Sequence, residues 1–251
     1  MIQVFKEPKK KDWPSILARP QFDAAPLEVK VREILLAVKQ RGDAAVKEYT
    51  LAFDKVAVSN FKLSAEKIEA AEKALTPSLK TAIQLAKVNI EVFHQGQIQK
   101  EERIETMPGV WCWRKSVGIE KVGIYIPGGS APLFSTVLML GIPAQIAGCK
   151  EVILCTPSDH PAILYAASLV GVTAIYSVGG AQAIAAMAYG TATIPKVHKI
   201  FGPGNQYVTA AKQLVQLSGT AIDMPAGPSE VCVIADSTAR PDYVAADLLS
   251  Q

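Results

Sequence analysis

The sequence predicts an α/β fold in which a buried parallel sheet is flanked by helices. From residue 121 onward, short β-branched runs are each followed by a Gly/Pro loop and then by an Ala/Leu-rich run of helical character. This alternation is typical of βαβ units, whose strands are parallel and buried on both faces. The preceding residues show mainly helical periodicity instead. With 251 residues and 49% hydrophobic content, the chain is long enough to form a substantial core.

The first elements are predicted to be helices. Between residues 27 and 53, apolar positions recur at helical spacing, and the break at residues 41–43 ends one helix and caps the next. This pattern predicts a helical hairpin. Thr76 and Pro77 match an N-cap followed by proline at the first helical position, so a further helix is expected to begin there.

A strand is expected next, after a turn at Pro108 and Gly109. Around this turn, residues 98–117 change to short alternating stretches. Trp111 and Trp113 are two residues apart, so they would lie on one face of that strand.

The βα units begin at five short apolar runs. These are VGIYIP (122–127), EVILCTP (151–157), AIYSVGG (174–180), HKIFGPG (198–204) and SEVCVIAD (229–236). The fifth run leads through Arg240 and Pro241 into the helical YVAADLLSQ. That helix lacks the Gly, Asn or basic last turn that commonly ends a helix, so the sequence is expected to be part of a longer chain.

Composition excludes several classes of function. The 26 basic and 23 acidic side chains nearly balance, which argues against a nucleic-acid-binding protein. No apolar run reaches the roughly 18 residues of a membrane span without Pro, Gly or charge. The four cysteines form no CxxC pair, which favours reduced core thiols, and the first residues lack a signal peptide, so a cytoplasmic location is expected.

Three of the predicted strand ends carry polar residues beside glycines. Tyr125 precedes a Pro-Gly-Gly loop, Gln182 follows a Gly-Gly pair, and Asn205 follows Gly-Pro-Gly. Ligands of doubly wound sheets bind at such loops, where glycine allows close approach of the backbone. The G-x-G-x-x-G fingerprint is absent, and one such loop alone is better explained as a turn that needs glycine. Their recurrence at three strand ends favours a dinucleotide site.

Acid/base and metal sites are not identified by local spacing. Residues 223–230 place a hydroxyl and two carboxylates around a proline turn, which could equally be a crossover between domains. His94, His160 and His198 lack metal-ligand spacing and are expected at the surface or at helix ends.

Five segments together resemble a known family. They are VGIYIPGGSAPLFSTVLMLGIPAQIAGC, SVGGAQAIAAMAYGT, KIFGPGNQYVTAAK, IDMPAGPSEVCVIAD and DLLSQ. In order and spacing, these segments resemble histidinol dehydrogenases, and the resemblance covers essentially the whole chain. It implies an enzyme that uses zinc and NAD to oxidise L-histidinol through the aldehyde to L-histidine, the last step of histidine biosynthesis.

The resemblance assigns roles residue by residue. The NAD contacts of the family fall on Tyr125, Gln182 and Asn205, the same residues that the strand-end loops indicate. The serine that contacts the substrate falls on Ser229. The glutamine that binds zinc and borders the substrate falls on Gln251.

The remaining zinc ligands and the Glu-His pair for acid/base catalysis lie after this glutamine in the family, so no catalytic residue is assigned between residues 1 and 251. A lone carboxamide is a poor zinc ligand, because zinc sites use about four ligands and prefer thiolate, imidazole and carboxylate. A polypeptide of residues 1–251 is therefore expected to be inactive alone.

The family resemblance also implies the domain organisation. It predicts two incomplete Rossmann-like domains, one inserted in the other. The inserted NAD-binding domain would comprise residues 121–228, and the outer domain residues 1–120 and 229–251. A homodimer is expected for the intact enzyme.

Three functional hypotheses remain open from sequence. The chain is either part of an NAD-dependent enzyme, a dinucleotide-binding module without catalysis, or a structural or partner-binding remnant. Titration with NAD separates the last two, because only a module would bind it.

Overall fold

The computed structural model describes residues 3–18, 25–129, 131–225 and 231–249. A 3-10 turn at Lys10–Asp12 precedes the first helix. The helices and strands in chain order are α1 (Trp13–Ile16), α2 (Ala25–Arg41), α3 (Asp43–Asp54), α4 (Ala65–Ala74), α5 (Pro77–Gln95), β1 (Arg103–Met107), β2 (Val110–Trp113), β3 (Lys121–Tyr125), α6 (Phe134–Ile146), β4 (Glu151–Thr156), α7 (Pro161–Leu169), β5 (Ala174–Ser177), α8 (Gly180–Tyr189), β6 (Lys199–Phe201), α9 (Gln206–Gln216), β7 (Ala221–Ile222) and α10 (Pro241–Leu248).

Strands β3 to β7 form one parallel sheet in the order β5-β4-β3-β6-β7. The predicted α/β fold with a parallel sheet is therefore confirmed. The chain moves outward from β3 to β5 and then returns to place β6 on the other side of β3. This reversal of strand order creates a crevice at the carboxyl ends of β3 and β6, which is where open α/β sheets bind ligands.

Helices cover both faces of the sheet, and side-chain alternation along β3 separates two apolar layers. Ile124 lies in the layer formed with α4 to α7, whereas Tyr125 lies in the layer formed with α2, α3, α8 and α9. Both side chains are at most 3% exposed. Helices α2 and α3 thus pack against the same sheet that carries the strand-end loops.

The sheet edge at β5 is closed by residues that precede α4. Lys62 forms an antiparallel bridge with Tyr176, and the Leu63 amide donates to the Ile175 carbonyl at 2.9 Å. Pairing of this kind protects an edge strand from joining another chain.

The predicted helical hairpin is confirmed as α2 and α3, which are separated only by Gly42. Gly42 has a φ of +53°, a conformation that favours glycine and turns the chain between the helices. The predicted start of α5 is also confirmed, because the Thr76 hydroxyl accepts a hydrogen bond from the Leu79 amide at 3.3 Å.

The strand predicted after the Pro-Gly turn is confirmed as β2, which pairs antiparallel with β1. All residues of both strands are exposed, including Trp111 at 53% and Trp113 at 48%. The two tryptophans therefore lie on a ribbon apart from the main sheet.

The prediction of a fifth strand at residues 229–236 is wrong for residues 231–236, the part that the structure describes. Residues 231–236 have no strand assignment, and Ile234 is 97% exposed. Apolar alternation alone does not make a strand, because the backbone also needs a neighbour for its hydrogen bonds, and none of the described strands pairs with this segment. The helix predicted after Arg240 is present as α10.

The prediction that the four cysteines are core thiols is confirmed only in part. Cys155 is buried and Cys149 is half-buried, but Cys112 and Cys232 are exposed. All four are free thiols.

Among the described residues, no helix is long and apolar enough to cross a membrane.

Candidate functional site

A cavity of about 610 Å³ opens at the crevice between the ends of β3 and β6. Its lining includes Tyr125, Gln182 and Asn205, the three residues that the sequence placed at strand ends. They come together because the carboxyl ends of parallel strands lie at one edge of the sheet. The volume is within the range of about 300–1,000 Å³ that is common for pockets that bind small molecules and cofactors.

Tyr125 is the last residue of β3 and is held in place by its hydroxyl. The Gly180 amide at the start of α8 donates to the Tyr125 hydroxyl at 3.0 Å. Burial raises the pKa of Tyr125 to about 12, so the phenol stays neutral at physiological pH. The hydroxyl hydrogen is then still available for donation to a ligand.

Gly180 is required where it lies. It has a φ of +65°, and a Cβ there would come within 2.5 Å of the Gln182 side-chain oxygen. The Gly-Gly pair therefore allows α8 to begin directly under the cavity.

Gln182 provides the most informative polar group of the cavity. Its side chain is fully buried, and neither Oε1 nor Nε2 has a hydrogen-bond partner within the described protein. A buried polar group without a partner costs about 1–3 kcal/mol, and such groups are rare in folded proteins. One amide that can both donate and accept is suited to a ligand carrying both kinds of group.

Asn205 connects the loop after β6 to α9. Its Oδ1 caps the helix by accepting hydrogen bonds from the Tyr207 amide at 3.0 Å and the Val208 amide at 3.1 Å. Because the oxygen is used by the helix, the side-chain Nδ2 is the group left to donate to a ligand.

Other residues of the cavity were missed by the sequence analysis. Lys30 comes from α2, Phe53 and Asp54 from the end of α3, and Tyr207 from α9. Burial raises the pKa of the Asp54 carboxyl. Because α2 and α3 pack against α8, they reach a cavity that is far away in sequence. The predicted helical hairpin was the only signal, and it did not indicate which face would meet the sheet.

The two other predicted site residues, Ser229 and Gln251, lie outside the described residues. The segment leading towards Ser229 is described as far as Pro225, and it lines a second, smaller cavity of about 230 Å³ together with Gly202 and Lys212. Different residues of the loop after β6 line the two cavities: Asn205 lines the larger one, and residues 202–204 line the smaller one.

The described residues do not fit a zinc site by themselves. They contain no group of three or more His, Cys, Asp or Glu side chains that could hold a metal ion. His160 instead caps α7, because its Nδ1 accepts from the Ala162 amide at 3.2 Å. Any chemistry that requires zinc would therefore need ligands beyond this part of the chain.

Comparisons with known proteins agree with one another. The family model described as histidinol dehydrogenase matches residues 17–251. A histidinol dehydrogenase of Bacteroides thetaiotaomicron is 59% identical over 256 residues, and the match covers 100% of this chain and 60% of that protein. The histidinol dehydrogenase of Escherichia coli K12 is 56% identical over 240 residues, covering 94% of this chain and 55% of that protein.

A solved structure shows the same similarity in three dimensions. The crystal structure of histidinol dehydrogenase from Elizabethkingia anophelis superposes with a TM-score of 0.90 at 55% identity, covering 97% of this chain and 57% of that chain. The chain thus spans about 60% of the length of the curated relatives that match it over its whole length.

Proposed function

The chain belongs to the histidinol dehydrogenase family, and from this membership we propose that its residues provide the dinucleotide-binding part of an NAD-dependent oxidoreductase. When bound, NAD supplies an acceptor for hydride from an alcohol or aldehyde carbon. The roles of this chain's own residues are to bind and orient the dinucleotide.

The fully buried Gln182 amide without a partner is the observation that carries this proposal. A dinucleotide contains amide, hydroxyl and phosphate groups, so it offers both donors and acceptors to this side chain. Tyr125 and Asn205 supply two further donors around the same cavity. This combination of one apolar cavity with a few convergent polar groups is typical of a cofactor site.

For the intact protein, we propose oxidation of L-histidinol through histidinal to L-histidine in the cytoplasm, with zinc as a second cofactor and a homodimer as the assembly. In this proposal Ser229 contacts the substrate, and Gln251 contacts both substrate and zinc. The inserted domain comprises residues 121–228, between two parts of the outer domain at residues 1–120 and 229–251. These assignments rest on family membership and on the motif positions.

A polypeptide of residues 1–251 is expected to bind NAD without oxidising histidinol. The reason is that its described residues hold no candidate metal cluster. Absorbance at 340 nm would follow NADH in a homogeneous sample of this polypeptide supplied with histidinol, NAD and zinc. Sustained NADH formation would contradict the proposed lack of turnover while leaving the NAD site intact.

Calorimetric titration with NAD tests the binding site directly. Changing Asn205 to Ala removes both the helix cap and the Nδ2 donor, whereas Asn205→Asp keeps an oxygen that can cap α9 and replaces the donor with a negative charge. We expect roughly tenfold weaker binding for Asn205→Ala, since one hydrogen bond contributes about 0.5–1.5 kcal/mol. Binding by Asn205→Asp should be weakened at least as much, because its carboxylate also repels the phosphates of NAD.

Asn89→Ala serves as the matched control, because Asn89 lies on the exposed surface of α5. Its affinity for NAD is expected to equal that of the unchanged chain. A folded chain that does not bind NAD would refute the proposed function. If the Asn205→Asp variant binds NAD as tightly as the unchanged chain, Asn205 does not contact the dinucleotide.

A further inference from the structure

A buried ion pair lies beneath the loop that follows β6. The Lys212 ammonium of α9 pairs with the Asp223 carboxylate, which follows β7, and their side chains are only 7% and 27% exposed. Removing two charges from water is costly, and apolar replacements of buried pairs are often neutral or stabilising. Stability alone is therefore a poor explanation for this pair.

Both members of the pair bind the same residue, Gly202. Lys212 Nζ donates to the Gly202 carbonyl at 2.8 Å, and Asp223 Oδ2 accepts from the Gly202 amide at 2.8 Å. Both backbone polar groups of one loop residue are thus fixed by two side chains from different elements.

Gly202 itself lies where no other residue would fit. Its φ is +132°, and a Cβ at this position would lie 2.0 Å from the carbonyl oxygen of Tyr125. The loop is therefore pressed against the end of β3 next to the candidate site. Hydrogen bonds to both groups of Gly202 hold it in a conformation that loops adopt at a cost.

Asn205 is three residues further along the same loop and lines the larger cavity, whereas Lys212 and Asp223 line only the smaller cavity. Since neither charged side chain lines the larger cavity, the pair would affect a ligand there indirectly, and the loop residue that both side chains bind offers a route. We infer that Lys212 and Asp223 are positioning residues that hold the loop from Gly202 to Asn205 in the conformation that binds the dinucleotide. This inference rests on the proposed function of the cavity.

Changing Lys212 to Met tests the inference by removing the ammonium while keeping most of the apolar stem. The expected result is NAD affinity about tenfold lower, comparable with the loss of one ligand hydrogen bond. Because the lysine acts through Asn205, its effect should nearly disappear in an Asn205→Ala background. Independent structural damage would instead add to the effect of Asn205→Ala.

The matched control is Lys121→Met. Lys121 pairs with Glu151 at 3.1 Å at the opposite, amino-terminal edge of the same sheet. This variant also loses a lysine and an ion pair, but it leaves the loop after β6 unchanged. Its NAD affinity should match that of the unchanged chain, and a loss equal to that of Lys212→Met would overturn the inference.

Hydrogen exchange of the ligand-free chain separates this inference from the proposed function. Without Lys212, the amides of Gly202, Gly204 and Asn205 should exchange at least several-fold faster, whereas those of β3 and β4 should change little. This result does not require NAD to bind. If the unchanged chain fails to bind NAD, the proposed function fails, and the exchange rates still decide whether the pair fixes the loop.

The double variant Lys212→Met/Asp223→Leu covers the case in which Lys212→Met does not fold, because it leaves neither charge alone in the interior. The inference predicts that this variant folds with a mobile loop and weakened NAD binding. Unchanged exchange at Gly202, Gly204 and Asn205 would overturn it. So would unchanged NAD affinity, or a loss of affinity that adds fully to that of Asn205→Ala.

Discussion

Single residues in the cavity combine structural and binding roles. Tyr125 ends a buried strand and anchors the start of α8 through Gly180, while Asn205 caps α9 with one atom and leaves another for a ligand. The sequence predicted both positions from their place at strand ends. It could not reveal that the Gln182 amide would have no partner within the described protein, because that depends on packing between distant elements.

Replacing Tyr125 with Phe should change how stability depends on pH. Because burial raises the pKa of Tyr125 from 10.0 to about 12, the unfolded chain loses this proton at lower pH than the folded chain. This residue's contribution to stability is therefore present below pH 10 and is lost as the pH rises towards about 12.

Urea unfolding at pH 8 and pH 11 measures the effect. At pH 8 the Phe variant should be less stable, since the Gly180 amide loses its acceptor. At pH 11 the difference in free energy of unfolding should be roughly 1 kcal/mol smaller. A difference that does not change with pH would contradict the buried, neutral phenol.

Replacing Gln182 with Met should both stabilise the ligand-free chain and weaken its binding of NAD. Methionine has a similar size and no amide to leave unpaired, so the free energy of unfolding should rise by about 1–3 kcal/mol. NAD affinity should fall about tenfold because the ligand loses its partner.

The control for this substitution is Gln84→Met. The Gln84 amide has a partner, since its side chain donates to the Tyr165 hydroxyl at 3.1 Å. Thermal unfolding should show no stabilisation of this variant. If Gln182→Met destabilises the ligand-free chain, the amide has a partner that the structure does not show.

At the level of elements, the spacing of apolar residues predicted most helices and strands, because burial of one or both faces of an element imposes that spacing. The four strands that begin at residues 121, 151, 174 and 199 all pack between helical layers, so each is a short apolar run. The run at residues 231–236 has a similar composition but pairs with no described strand. Pairing depends on a partner strand, and the sequence of one segment does not show whether that partner is present.

The contact between α6 and the end of α7 predicts a reversal in the effect of one substitution. A Cβ at Gly141 in α6 would lie 2.2 Å from Val170 Cγ2, too close for the packed core to accept. Gly141→Ala should therefore destabilise the chain by about 1–3 kcal/mol, outweighing the helix-propensity gain of about 1 kcal/mol.

In a Val170→Gly background both close contacts, at 2.2 Å to Cγ2 and at 2.8 Å to Cβ, are removed and the propensity gain remains. Gly141→Ala should then be neutral or stabilising. Urea unfolding of the unchanged chain, the two single variants and the double variant measures this double-mutant cycle. A similar loss in both backgrounds would mean that Val170 is not the source of the strain.

At the scale of the whole molecule, the cavity is formed by parts of the chain that lie far apart in sequence. The sheet supplies Tyr125, while α2 and α3 contribute Lys30 and Asp54. Topology explains the first contribution, since β3 and β6 are adjacent at the point where strand order reverses. The second depends on how the helical hairpin docks, and the hydrophobic pattern of the hairpin does not specify that orientation.

The most direct test of the dinucleotide site is a crystal structure of the chain with NAD. The dinucleotide should lie in the cavity between the ends of β3 and β6, with the Gln182 amide hydrogen-bonded to it and Asn205 Nδ2 donating to it. NAD bound elsewhere, or NAD in the cavity with Gln182 still unpaired, would contradict the proposed site.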